Sequence, residues 1–114
     1  MLHQRTISKT IETSGVGLHS GKKVQMTLRP ALENSGIRFR RMDNDPIQEV
    51  HATAENVTDT NLGTTISQNQ TSIMTVEHLL SALAGLGIDN LYIDLHGPEI
   101  PIMDGSAASF ILLI

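Results

Sequence analysis

A glutamate followed directly by a histidine, Glu77-His78, opens the most regularly helical stretch of this 114-residue chain. The start of a helix carries partial positive charge from its unpaired N–H groups, which favours an ionised Glu and an unprotonated His. A neutral imidazole can ligate zinc, and a neighbouring carboxylate can take a proton from metal-bound water. Position 82, four beyond His78, is Ala, so the two-histidine helical motif of zincin proteases is absent. A single His does not hold a zinc ion, which takes three or four protein ligands. From the pair alone, a metal site and an ordinary acidic first turn both remain open.

Other chemistry-bearing residues are more scattered. His19 lies in Gly17-Leu18-His19-Ser20-Gly21, where glycines let backbone approach a ligand closely, although a tight turn needs no ligand. The segment lacks the Lys-Ser/Thr ending of a phosphate-binding loop, and its glycines do not fit the dinucleotide fingerprint. His3 and His51 sit in polar surroundings, and His96 precedes Gly97-Pro98 as a loop residue. Asp104-Gly105-Ser106 offers a general base or nucleophile, but Asp or Ser at a helix start is more simply a cap. Arg38, Arg40 and Arg41 around Phe39 read as the solvated face of an edge strand.

These groups depend on the elements that carry them. Val76, Leu79, Leu80, Leu83 and Leu86 follow the i, i+3, i+4, i+7 spacing of an amphipathic helix. Thr75 is expected as its N-cap, with Glu77 and His78 in the first turn and Gly85 and Gly87 as its stop. Before it, strands are expected at 6–14, at 24–29 (where Val24, Met26 and Leu28 alternate with polar residues), at 37–40, at 50–57 and at 62–67. The glycine-rich 15–21 and Asp43-Asn44-Asp45-Pro46 are expected as turns. After the helix, 91–95 reads as a strand and 101–103 as a short extended piece. Asp104-Gly105-Ser106 leads into a second helix from Ala107. The expected fold is one α+β domain, a mostly antiparallel sheet with two helices packed on it. Phe110-Ile111-Leu112-Leu113-Ile114 supplies no Gly or basic residue to close a helix, the pattern of one interrupted at the C-terminus.

Composition removes several classes. Without cysteine there is no disulfide scaffold, no Cys-ligated zinc and no thiol nucleophile. No apolar run nears about 18 residues, so no transmembrane segment is expected. The N-terminus, MLHQRTISKT, has no apolar signal core, which makes a cytoplasmic location the default. Net charge is −4, and all 8 Lys and Arg lie at or before Arg41. With that acidic balance and one aromatic among the arginines, nucleic acid is not an expected partner. The basic first third is the region that would attract a diphosphate group.

Three segments in register narrow the field: TSGVGLHSG at 13–21, TVEHLLSALAGLGIDN at 75–90 and PEIPIMDGSA at 98–107. Together with Gln4-Arg5-Thr6 they closely resemble the UDP-3-O-acyl-N-acetylglucosamine deacetylases, zinc amidases of lipid A biosynthesis in Gram-negative bacteria. The resemblance implies two similar α+β domains with the active site between them, residues 1–114 being the first. It implies His78 as a zinc (Zn2+) ligand and Glu77 as the general base, with the remaining ligands, a His and an Asp, in the second domain. Leu18, His19 and Leu62 resemble residues lining the site around the acylated UDP-sugar, and Asp104 a supporting or capping residue. With only one ligand, residues 1–114 alone are expected to be inactive. The alternative is a stand-alone, non-catalytic domain that binds a sugar nucleotide or a partner protein.

Overall fold

The computed structural model describes residues 3–44, 46–60 and 64–102. In chain order the elements are β1 (Ile11–Gly17), β2 (Lys23–Pro30), β3 (Ile37–Arg41), β4 (Gln48–His51), β5 (Val57–Asp59), β6 (Thr65–Gln68), β7 (Thr71–Ile73), α1 (Glu77–Leu86), β8 (Leu91–Leu95) and β9 (Pro101–Ile102), with a 3₁₀ turn at Ala54–Asn56. Six strands form one sheet in the order β4-β3-β8-β2-β1-β9, and β5-β6-β7 form a second. Neighbours run antiparallel except β3 and β8, which are parallel, so the larger sheet is mixed.

Alternation decides which face of each strand is buried. Val24, Met26 and Leu28 of β2 are fully buried, while Lys23 and Gln25 face water. Leu91, Ile93 and Leu95 of β8 join them, with Phe39 of β3 and Val50 of β4. Leu79, Ala82 and Leu83, one stripe of α1, belong to the same buried cluster. The helix ends where Gly87 turns left-handed (φ 71°) and the N–H groups of Gly87 and Ile88 bond to the carbonyls of Ala84 and Leu83. The α+β class and the central strands are therefore as expected.

Several expectations need correction. The first strand is Ile11–Gly17 rather than 6–14, so Gly15 and Gly17 lie inside a strand and the turn is confined to the residues after them. A Cβ on Gly17 would collide with the side chains of Glu99 and Ser20, which is why a glycine serves in that strand. Residues 50–57 are not one strand. Asn56 donates to the His51 carbonyl (2.7 Å) and the 3₁₀ turn carries the chain from the first sheet to the second. The arginine strand β3 is internal, between β4 and β8. Arg38 is used by Glu49 and the Ser35 carbonyl, and Arg41 by Asp43 and the Ser72 carbonyl. Gly85 sits within α1 and is not its stop. Among the described residues there is one α-helix; the expected second helix falls at 103–114, outside the described residues. No described helix is long and apolar enough to cross a membrane.

Candidate active site

Glu77 and His78 are the first two residues of α1, where the free N–H groups leave a positive end suited to a carboxylate. Their side chains are 35 % and 42 % exposed, and Glu77 Oε1 lies 3.9 Å from His78 Nε2, so both can be reached by a ligand from solvent. The other carboxylate oxygen is fixed: the Thr64 N–H donates to Glu77 Oε2 at 2.9 Å. The Thr64 carbonyl accepts from the Val76 N–H at 3.1 Å. Thr64 thus clamps the helix start through both of its backbone polar groups.

Thr75 is not the cap that its position suggested. Val76 occupies the N-cap position and makes no side-chain capping bond. The Thr75 backbone is left-handed (φ 62°), a conformation that costs a β-branched residue about 1–3 kcal/mol. Its hydroxyl, freed from capping, donates to Glu99 Oε2 at 2.6 Å. Just before Thr75 the chain is pinned to the 98–100 segment, by Met74 N–H to the Pro98 carbonyl (2.8 Å) and Ile100 N–H to the Met74 carbonyl (3.0 Å).

Glu99 is fully buried and also gathers the β1–β2 turn. The His19 N–H reaches both of its oxygens at 3.1 Å, and the Ser20 N–H donates to Oε1 at 3.0 Å. Burial pushes the Glu99 pKa up, but hydrogen bonds from Thr75, Ser20 and His19 outweigh it and hold the carboxyl below its ordinary value. The same carboxylate therefore ties the turn bearing Leu18 and His19 to the residue two before Glu77. Leu18 is 58 % exposed and the His19 side chain is exposed as well, so the turn presents both to solvent.

Of the residues expected from sequence, Glu77 and His78 are brought together, and Leu18 and His19 are linked to them through Glu99. Leu62 and Asp104 lie outside the described residues. His3 and His96 are exposed, and His51 pairs with Glu49 at 3.1 Å, apart from this arrangement. Sequence reading passed over Thr64 and Glu99. Thr64 acts through a backbone N–H, which any non-proline residue offers and no motif marks. Glu99 belongs to the 98–107 segment, but its partners at 19 and 20 are about eighty positions away. Among the described residues no group of three His, Cys, Asp or Glu side chains is placed to hold a metal ion. An accessible imidazole beside a carboxylate fits zinc as one member of a donor set, not as a complete one.

A family model described as UDP-3-O-acyl N-acetylglycosamine deacetylase matches residues 4–114. The chain belongs to that family. Over all 114 residues, this deacetylase-family chain is 62 % identical to the UDP-3-O-acyl-N-acetylglucosamine deacetylase of Legionella pneumophila (strain Corby). It is 58 % identical to that of Stenotrophomonas maltophilia (strain K279a) and 56 % to that of Chromohalobacter salexigens. In each case the match takes in 100 % of the chain and 38 % of the relative, so the chain spans well under half the length of these curated deacetylases.

Proposed function

We propose that the protein carrying this chain hydrolyses the N-acetyl group of UDP-3-O-acyl-N-acetylglucosamine, a step of lipid A biosynthesis, and that the chain supplies Glu77 as general base and His78 as one zinc ligand. The observation that carries the reading is the Glu77–His78 pair at the exposed start of α1, with one carboxylate oxygen fixed by Thr64 and the other turned toward the imidazole. The identity to deacetylases across all 114 residues supports the substrate class.

Bound zinc would supply Lewis acidity, lowering the pKa of water to about 7 and polarising the acetamide carbonyl. The work of this chain is positional. The Thr64 N–H orients the Glu77 carboxylate, so it can accept a proton as water attacks the acetamide carbon. The C–N bond then breaks, acetate leaves, and the proton passes to the departing 2-amino group. His78 has no second His one turn along and takes its partners from elsewhere in the protein, which we assign to a second domain. Residues 1–114 on their own would then be inactive. Leu18, His19, Leu62 and Asp104 are assigned to the substrate side and support of the same site.

The test is direct. The complete polypeptide, supplied with UDP-3-O-acyl-N-acetylglucosamine, is expected to release one acetate and one free amine per substrate in a zinc-dependent manner. Binding of the nucleotide sugar without turnover, by protein with zinc bound, would overturn the reading in favour of a binding module.

A further inference from the structure

Among the described residues, Glu99 is a buried acidic residue that the reaction itself does not use, and its surroundings are unusual. It is fully buried, and its two oxygens take hydrogen bonds from the His19 and Ser20 N–H groups and the Thr75 hydroxyl, with the Ser20 side chain as a further partner. Thr75 is a non-glycine residue in the left-handed region, a conformation that persists only where the surroundings over-determine it. Thr75 sets the direction in which the chain enters α1, and Glu77 follows two residues later. Gly17 leaves the space that the Glu99 carboxylate fills.

We propose that Glu99 is a positioning residue for the general base: by holding Thr75 in its strained backbone conformation against the 17–20 turn, it sets where the Glu77 carboxylate points. Glu99 acts through its hydrogen bond to Thr75. The inference rests on the assignment of Glu77 as base. Hydrogen-bonding partners one shell out from a reacting group commonly contribute 10–100-fold to activity. A glutamine at 99 keeps the shape but is neutral and offers one acceptor oxygen in place of two, so every donor loses a charged partner and those at one position face an NH2 group instead.

The experiment is a double-mutant cycle in the complete, zinc-loaded polypeptide, with Glu99→Gln made in the native background and in Glu77→Gln. Deacetylation kinetics, zinc per chain and thermal midpoint are read for each. In the native background Glu99→Gln is expected to lower kcat about 10–100-fold, with KM and zinc content little changed. In the Glu77→Gln background the same change is expected to cost at most about twofold, because the group it positions is already gone. Equal losses in both backgrounds would overturn the proposal and leave Glu99 a structural residue. Near-native kcat for Glu77→Gln alone would instead overturn the assignment of Glu77 beneath it. Should Glu99→Gln not fold, Thr75→Ala removes the same link and is read by the same cycle, with the same outcomes decisive.

Discussion

Two side chains at one helix start carry the proposed chemistry, and their roles separate experimentally. His78 is 42 % exposed and lies outside the buried hydrophobic cluster, so His78→Ala is expected to fold normally yet weaken zinc binding by at least about 100-fold. Competition with a chelator measures this, and unchanged zinc affinity would remove His78 from the ligand set. Glu99 makes a different prediction, about acid stability. Its carboxyl is held below the ordinary value of 4.5, so it stabilises the fold at pH above that value. The contribution is lost as pH falls from about 4.5 through the lower native value. Glu99→Gln should therefore shallow the fall in unfolding free energy over that acid range, seen as a weaker pH dependence of urea midpoints. An unaltered acid limb would mean that the carboxylate is not ionised in the fold. At this scale the sequence marked Glu77 and His78 as a pair at a helix start, and only the resemblance to the deacetylases gave them roles. It hid Glu99 and Thr64, whose importance comes from partners distant in the chain or from backbone atoms common to all residues.

The elements were legible where periodicity was strong. The β2 alternation and the α1 stripe translate directly into Val24, Met26, Leu28, Leu79 and Leu83 in one buried cluster. Leu83→Ala is expected to lower stability by about 2–5 kcal/mol through the cavity it leaves, measurable by denaturant titration. The boundaries were less legible. Gly15 and Gly17 read as turn residues because glycine usually punctuates, yet here glycine gives way to a buried carboxylate inside a strand. Thr75 read as a cap because of its type, while its hydroxyl is drawn to Glu99. The β6–β7 hairpin turns on Asn69 and Gln70, both left-handed (φ 53° and 66°). Glycine is favoured at the second position of such turns, so Gln70→Gly is expected to raise stability by about 1 kcal/mol, and a lowered midpoint would contradict that turn geometry.

Across the whole molecule, an α+β class and a mostly antiparallel arrangement could be read from the order of strands and helix. The separation into a six-stranded and a three-stranded sheet could not, because strand pairing between distant segments leaves little local trace. The charge split has a physical sequel as well. The basic residues of the first 41 positions are partly consumed within the fold, Arg29 by Asp94, Arg38 by Glu49 and Arg41 by Asp43. The helix start with Glu77 and His78 lies in the later part of the chain, which after Arg41 has no Lys or Arg. The central claim is that this helix start is the catalytic edge of a zinc deacetylase. Its most direct test is the turnover of UDP-3-O-acyl-N-acetylglucosamine by the complete Glu77→Gln polypeptide, measured at matched zinc content. Zinc binding retained with kcat lower by about 10²–10⁴-fold is the predicted result; turnover close to that of the unaltered protein would contradict it.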